Sequence, residues 1–242
     1  MFFYYDSMCL GYAKGDNMDV TNIKYKNQGI HGIVAIFTVE NSEIKVLLIK
    51  RKNEPFKGKW ILTGGAIYND ESVDDGVKRE LLEKTGLKDI YMEQFGVYSD
   101  RYRSPLMRMI AIAYVALIDS KKVNIYKETV STSDADWFNI KSIPELGFDH
   151  EEILKGAINH LKKIILKSDI VKVLLPEKFT MPELQRIYET LLDKSIDRRN
   201  FRKKLLTLGL VEETTDEGVK KVGKPAKYYR FKKDIIKSKD LF

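Results

Sequence analysis

Apolar residues alternate with polar ones, or run without interruption, in four segments of the first half of the chain: 32–39, 44–50, 91–98 and 109–118. This pattern predicts four strands, with a turn at Asn41 and Ser42 between the first two. The segments 73–84 and 151–167 instead repeat apolar residues at helical spacing, and Asp149 is the expected N-cap of the second helix. Strands and helices in this order indicate a mixed α/β layer architecture.

The pattern changes after residue 175. Thr180 and Glu183 form a capping box for a helix that ends at Leu192, and Asp197 is placed to cap a second helix over 198–208. Two strand-like segments follow, at 210–214 and 227–231. Helix, turn, helix and a two-stranded wing is the order of a winged helix-turn-helix, which binds DNA through its second helix. A small helical hairpin for protein contact is the alternative.

The second helix and the wing carry the residues that we expect to contact DNA. Arginine and asparagine near the start of the helix match the edges of guanine and adenine, and wing lysines can neutralise phosphates. The candidates are Arg198, Arg199, Asn200, Arg202, Lys203, Lys220, Lys221, Lys224 and Lys227. Of the net charge of +7, +6 falls in residues 169–242, which favours a nucleic-acid partner there. A basic solvated face would show the same charge.

Length and composition limit the remaining possibilities. With 242 residues, 43% of them hydrophobic, the chain can bury the cores of one or two domains. We expect a lead at 1–27, with Met18 as an alternative start, an α/β domain at 28–167 and a DNA-binding domain at 168–242. Cys9 is the only cysteine, so no intramolecular disulfide can form. The sequence also lacks a signal-peptide pattern and an apolar run of membrane length, and it predicts a cytoplasmic protein without a membrane partner.

The stretch 65–87, GAIYNDESVDDGVKRELLEKTGL, carries the candidate chemistry of the first domain. Glu80, Glu83 and Lys84 are three or four residues apart and therefore share one helix face. Three carboxylates at these positions could hold Mg²⁺ against a substrate diphosphate. Lys84 removes one ligand and adds a positive charge, which weakens such a site considerably. The alternative is a solvated face with an ordinary Glu–Lys pair.

This stretch resembles the Nudix box, which reads glycine, five residues, Glu, seven residues, Arg-Glu-aliphatic, one residue, Glu-Glu, one residue, Gly-aliphatic. The matching residues are Gly65, Glu71, Arg79, Glu80, Leu81, Glu83, Gly86 and Leu87. Lys84 stands where the last glutamate of the motif belongs. The resemblance implies the Nudix fold, a mixed sheet sandwiched between helices.

Both halves of the chain together resemble one family, the Nudix-related transcriptional regulators, bacterial repressors with an N-terminal Nudix-like sensor fused to a winged helix. The resemblance covers residues 28–232 and rests on several segments in the same order. They are 47–60, the modified box, 91–101, 112–117, 145–154, 175–192, 197–206 and 223–231. It implies a sensor for ADP-ribose or related nucleotides of NAD metabolism, or for sugars in some branches. The chain departs from the family at Lys84 and at Thr63, where the family usually has proline.

An anionic effector would be held by glycines and cations around the box. Guanidinium groups match phosphate oxygens, and Lys84 is itself a candidate phosphate contact in place of the missing metal charge. The expected ligand-binding residues are Arg51, Gly64, Gly65, Arg79, Glu80, Glu83, Lys84, Arg101 and Arg108. Arg79 could instead hold the motif loop together. The histidines, His31, His150 and His160, are expected to be structural, with ligand contact the alternative for His150.

The sequence thus predicts a repressor with a degenerate Nudix sensor that responds to a small phosphorylated metabolite or sugar. It is expected to bind a double-stranded DNA operator as a homodimer. No catalytic residue, metal or cofactor is expected. The alternative is a working Nudix hydrolase of a nucleoside diphosphate derivative such as ADP-ribose, with Glu80 and Glu83 holding Mg²⁺. A protein-interaction scaffold would show neither turnover nor salt-dependent DNA binding.

Overall fold

The computed structural model describes residues 26–217 and 227–232. Within this part of the chain, a mixed sheet of seven strands lies at the centre of the first domain. Its strands are β1 (Gly29–Glu40), β2 (Glu43–Arg51), β3 (Trp60–Ile61), β4 (Thr63–Ala66), β5 (Met92–Tyr98), β6 (Met109–Leu117) and β7 (Thr132–Asn139). The order is β3-β2-β1-β6-β5, with β4 also paired to β1 and β7 to β2. The β1–β6 pair is parallel and the other pairs are antiparallel.

Two helices cover the two faces of this sheet, as the period of two in β1 requires. Ile33 and Phe37 point to the face that packs against α2 (His150–Lys167), whereas Val34 points to the opposite face, against α1 (Val73–Thr85). All three side chains are almost fully buried. A strand that is buried on both faces reads as a continuous apolar run, which is the pattern of 32–39. The expected Nudix-like sandwich is therefore confirmed.

The helix α1 begins and ends where its sequence predicts. The hydroxyl of Ser72 accepts a hydrogen bond from the backbone N–H of Asp75, and Gly86 terminates the helix with a φ of 77°. Val77 and Leu81 are buried against the sheet. This leaves the face that carries residues 80, 83 and 84 beside strand β4.

The helix α2 begins one residue before the predicted segment 151–167, with the expected residue at its N-cap. Asp149 occupies the N-cap position without a side-chain hydrogen bond to the helix. Its carboxylate instead accepts two hydrogen bonds from Arg103, each of 2.8 Å. The forked ion pair turns the carboxylate toward the buried guanidinium rather than toward the helix terminus.

The second part of the chain folds as the winged helix that its sequence predicts. It contains α3 (Met181–Leu192), α4 (Arg198–Thr207) and a small sheet in the order β8-β10-β9, formed by β8 (Phe179–Thr180), β9 (Val211–Glu217) and β10 (Lys227–Phe231). The capping box of Thr180 and Glu183 is complete. Asp197 caps α4 by accepting from the N–H of Asn200 at 2.8 Å. Tyr188 and Phe201 meet edge to face and pack the two helices together.

One continuous hydrophobic cluster joins the sheet domain to the winged helix. We call it the shared core, and it runs from Phe37 of β1 through Ile165 of α2 and Val171 to Leu184 and Tyr188 of α3. Val171 belongs to a short 3-10 helix, Ile170–Leu174, that connects α2 with the winged helix. The predicted domain boundary at 167 and 168 thus falls in a segment whose apolar side chains serve both parts.

Four short or polar strands, β3, β4, β7 and β8, were not predicted. Strands β3 and β8 hold two residues each, and β4 holds four, two of them glycine, so no period can be read from them. Strand β7 carries four exposed or half-exposed polar residues among eight, and its position is fixed by pairing with β2, 81 to 94 residues away. The ends of the other predicted elements coincide with the observed ends or differ from them by at most three residues.

Two sequence-based expectations fall outside the described part of the chain. They are the lead, apart from residues 26 and 27, and the wing lysines Lys220, Lys221 and Lys224. In the residues that the structure does describe, no helix has both the length and the apolarity needed to span a membrane.

Candidate functional site

Arg79 organises the box by contacting three other parts of it. Its guanidinium donates to Glu71 at 2.6 and 3.0 Å, to Glu80 at 2.9 Å and to the carbonyl of Ala66 at 2.9 Å. It also stacks over the ring of Tyr68, 3.8 Å from the centroid. The hydrogen bonds from Arg79 lower the pKa of Glu71, and in return Glu71 raises the pKa of Arg79. The loop before α1 is therefore fixed to the helix through one side chain.

Glu80 is buried beside this arginine, at the base of the site. A Cβ atom on Gly65 would lie 2.1 Å from the carboxylate carbon of Glu80, so only glycine leaves room for this side chain. One carboxylate oxygen accepts from Arg79 at 2.9 Å. The other lies 2.8 Å from the ammonium nitrogen of Lys84. Both oxygens thus face a cation that the chain itself supplies.

Lys84 reaches across from α1 to strand β4. Its ammonium group donates to the backbone carbonyl of Gly64 as well as pairing with Glu80, and the lysine side chain is only 17% exposed. Glu83, by contrast, is 55% exposed and lies 3.5 Å from Arg79. The ammonium group of Lys84 therefore lies against two oxygen atoms of the box, the carbonyl oxygen of Gly64 and a carboxylate oxygen of Glu80. In the described residues, no group of three or more Asp, Glu, His or Cys side chains is placed to hold a metal ion.

A narrow cleft opens beside this ammonium group. Its walls are formed by His31, Ile33, Arg51, Ile61, Gly64, Arg103, Ser104, Phe148 and His150. Gly64 belongs to the cleft and also binds Lys84, so the two features share one backbone segment. We call the cleft together with Lys84 and Glu80 the anion cleft.

Two histidines in the anion cleft are held neutral. Burial, with Arg103 as the next cause, lowers the pKa of His31 to about 4 and that of His150 to about 3. The Nδ1 atom of His150 accepts a hydrogen bond from the backbone N–H of Leu62 at 2.9 Å, which requires an unprotonated nitrogen there. His150 thus has the expected structural contact and also lines the cleft. His160 lies elsewhere, 2.9 Å from Glu93.

Arg103 is the residue of this site that the sequence did not reveal. It is 7% exposed, lines the cleft and forms the forked pair with Asp149 at the start of α2. Its segment, SDRYRSPLMR, contains three arginines without a motif that ranks them. Only the partner, 46 residues further along the chain, distinguishes Arg103 from its neighbours.

The other predicted arginines take different positions. Arg51 lines the cleft, donates to the carbonyl of Pro55 at 2.9 Å and lies over the ring of Phe148. Burial lowers its pKa. Arg101 is exposed and stacks on Tyr102, and Arg108 donates to the carbonyl of Ser99. Neither Arg101 nor Arg108 is among the residues that line the cleft.

The helix α4 presents a basic face on the surface of the winged helix. Phe201 and Leu205 are fully buried and fix the helix to the domain. The predicted DNA-contacting residues of the helix are all exposed: Arg198, Arg199, Asn200, Arg202 and Lys203. Four of them line one shallow groove with Leu206. We call this surface the basic face.

Lys227, the first residue of strand β10 in the wing, lies near the basic face. Lys227 pairs with Glu213 across β9 and β10, and Arg202 lies 4.0 Å from the same carboxylate. Arg202 also lies over the ring of Tyr229. Helix and wing thus approach each other at one carboxylate and one aromatic ring.

Comparison with known proteins assigns both parts. Residues 29–157 match the model of the NUDIX domain, and residues 171–231 match the model described as the NrtR DNA-binding winged helix domain. The chain is 34% identical over 204 residues to the ADPR responsive transcriptional repressor NtrR of Acinetobacter baylyi. The matched region spans 82% of this chain and 80% of that protein. The chain belongs to the NrtR family.

Two solved structures of the NrtR of Shewanella oneidensis are similar to this chain and contain a ligand. NrtR complexed with a 27mer DNA has a TM-score of 0.68 and 31% identity, and covers 84% of this chain and 93% of that one. The NUDIX domain of NrtR complexed with ADP ribose has a TM-score of 0.53 and 31% identity, and covers 57% of this chain and 91% of that one.

The Nudix part of this NrtR-family chain is also similar to an enzyme. It is 36% identical over 126 residues to an ADP-ribose pyrophosphatase of Methanocaldococcus jannaschii, across 52% of this chain and 73% of that protein. Likeness of the domain therefore does not decide between binding and hydrolysis. The difference between binding and hydrolysis has to be sought in the residues of the box.

Proposed function

We propose that the chain is a DNA-binding transcriptional repressor whose Nudix domain binds ADP-ribose and thereby lowers its affinity for an operator. The observation that carries this proposal is the exposed basic face of α4, which the shared core attaches to a domain with an anion cleft. The repressor from Acinetobacter baylyi and the two Shewanella oneidensis complexes support the pairing of DNA with ADP-ribose.

The basic face suits the major groove of DNA. Arg199 and Asn200 are exposed in the first turn of α4, where a recognition helix meets base edges. Arginine matches guanine and asparagine matches adenine by paired hydrogen bonds. Further cations along the helix, Arg202 and Lys203, can contact phosphates and add affinity that depends on salt.

The anion cleft suits the diphosphate of ADP-ribose. Arg51 and Arg103 bring two guanidinium groups to its wall, and the ammonium group of Lys84 is bonded to the carbonyl of Gly64 in the same wall. Guanidinium and ammonium groups bind phosphate oxygens through charge-assisted hydrogen bonds.

We also propose that the protein binds ADP-ribose without hydrolysing it at a useful rate. In hydrolysis of this kind, Mg²⁺ binds the diphosphate through oxygen ligands and generates the attacking hydroxide. Glu80 is paired with Arg79 and Lys84, and lysine cannot replace a glutamate as a metal ligand. The pyrophosphatase of Methanocaldococcus jannaschii keeps the alternative open to measurement.

The test is fluorescence anisotropy with the full-length protein and labelled DNA from upstream of its own gene. We expect specific binding that weakens with salt and weakens again when ADP-ribose is added. Arg199→Ala or Asn200→Ala is expected to cost about 1 to 3 kcal/mol on the operator and little on random DNA. Lys88→Ala, an exposed residue of the other domain, is the control.

Three results would count against the proposal. If the two variants lose the same affinity for the operator as for random DNA, these residues contact phosphates and another surface recognises the base sequence. If ADP-ribose leaves the operator affinity unchanged, the effector is a different compound or none. Rapid turnover of ADP-ribose would favour the enzyme.

A further inference from the structure

We propose that the ammonium group of Lys84 is a built-in cation of the Nudix box, which takes the place of Mg²⁺ and binds the diphosphate of the effector without a divalent metal. This inference deepens the proposed function and rests on it for the choice of effector. It concerns how the anion is held, which the likeness to other NrtR proteins does not address.

The residues of this box do not fit the metal that the Nudix fold implies. Mg²⁺ needs several oxygen ligands in an octahedral arrangement. The two oxygens of Glu80 lie 2.9 Å from Arg79 and 2.8 Å from Lys84, and the carbonyl of Gly64 accepts from the same lysine. A metal ion would have to displace the ammonium group, and it would then face two positive charges. Glu83, the remaining carboxylate, is mostly exposed and lies nearest to Arg79.

The position of Lys84 differs from that of a lysine in an ordinary surface pair. An i,i+4 pair on a solvated face needs no contact outside its own helix. Lys84 also reaches a carbonyl on a different element, 20 residues away, and four fifths of its side chain are buried. Burying an ammonium group is unfavourable unless oxygens replace its water, and the box supplies two.

The ammonium group remains able to bind a ligand. It has three N–H donors; within the described residues one hydrogen bond goes to the carbonyl of Gly64, and a carboxylate oxygen of Glu80 lies 2.8 Å away. Its partner Gly64 forms part of the cleft wall, next to Arg51 and Arg103. Arg51 and Arg103 therefore line the cleft, and Lys84 is hydrogen-bonded to the same wall through Gly64; Glu80 and Asp149 are the carboxylates that pair with these cations. A diphosphate carries the opposite charge and the acceptor oxygens that such a site lacks.

The experiment measures binding of ADP-ribose to the full-length protein by calorimetry, once in EDTA and once in excess Mg²⁺. We expect the dissociation constant to agree within about twofold between the two conditions. Lys84→Met keeps the length and removes the charge, and it is expected to weaken binding about tenfold or more in both. Lys78→Met makes the same change on the exposed side of α1 and is expected to have no effect.

A second variant restores the metal ligand. Lys84→Glu is expected to bind ADP-ribose poorly in EDTA and to regain affinity when Mg²⁺ is added. Titration with Mn²⁺, followed by electron paramagnetic resonance, provides a readout that is independent of ADP-ribose. The natural protein is expected to bind no Mn²⁺ at this site, and Lys84→Glu is expected to bind one ion per chain.

Each contrary result overturns the inference. The inference fails if the natural protein needs Mg²⁺ for ADP-ribose, if it binds Mn²⁺ in the box, or if Lys84→Met behaves like Lys78→Met. It also fails if neither ADP-ribose nor inorganic pyrophosphate binds in EDTA. Binding as expected, without any change in operator affinity, would instead refute the proposed function and leave the metal-free anion site in place.

Discussion

At the scale of single residues, the prediction about hydrolysis rests on the charge of Lys84. Because Lys84 pairs with Glu80, we expect negligible Mg²⁺-dependent hydrolysis of ADP-ribose by the natural protein and a partial gain in Lys84→Glu. Phosphate or AMP release, measured by chromatography, checks this. Adding Glu83→Gln to Lys84→Glu is expected to remove the gain. Robust hydrolysis by the natural protein, lost in Glu83→Gln alone, would contradict the prediction.

His150 predicts a dependence of stability on pH. Its pKa in the folded protein is about 3, against 6.5 for an ordinary histidine, because it is buried and lies near Arg103. The unfolded chain therefore binds the proton more tightly. The contribution of neutral His150 to the free energy of unfolding is fully present above pH 6.5 and is lost as the pH falls toward 3. One such group lowers the free energy of unfolding by at most about 1.4 kcal/mol per pH unit.

Urea unfolding between pH 6.5 and 5 measures this slope above the range in which most carboxylates titrate. His150→Asn keeps an acceptor for the N–H of Leu62 but cannot be protonated, and its slope is expected to be shallower. Equal slopes in the two proteins would show that His150 does not contribute.

The sequence identified some residues of the site and not others. Arg79, Glu80 and Lys84 were found because the box fixes their spacing on one helix and its preceding loop. Arg103 and His31 were not, because their role depends on a sheet that brings distant segments together. His31 lies on β1, and Arg103 is held by a carboxylate at the start of α2. Single-sequence spacing carries no information on such contacts.

At the scale of elements, the forked pair of Arg103 and Asp149 anchors the start of α2 to the wall of the cleft. Removing one partner leaves a largely buried charge without compensation, so Arg103→Met or Asp149→Asn is each expected to cost about 3 kcal/mol of stability. The double variant is expected to lose clearly less than the sum, since no lone charge remains. Thermal unfolding of the four proteins gives the coupling, and strict additivity would exclude it.

Helices were predicted more completely than strands. The N-terminal starts of α1, α3 and α4 follow from Ser72, Thr180 and Asp197, whose side chains cap the first turn of each helix. Strand β7 depends on β2 for its existence, and its polar sequence gave no sign of it. Strands β3 and β4 are too short to show a period. A strand that is defined by its partner cannot be read from its own residues.

At the scale of the whole molecule, the basic face is too small for a specific operator. One α4 reads only a few base pairs, so we expect two copies of the chain on a two-fold symmetric site. Light scattering should give twice the chain mass of 28.1 kDa, and the footprint should have two equal halves. A monomer mass together with an asymmetric footprint would contradict this.

The shared core has a consequence for amide hydrogen exchange. Since Phe37, Ile165 and Tyr188 pack in one cluster, the winged helix and the sheet domain are expected to open together rather than separately. A ligand present at a hundred times its dissociation constant stabilises the folded state by about 2.7 kcal/mol. ADP-ribose in the cleft should therefore slow the exchange of the amides of Leu184 and Leu191 in α3 about as much as that of amides in β1. Protection limited to the sheet domain would mean that α3 unfolds on its own. A ligand bound in the cleft would then not change the stability of that helix.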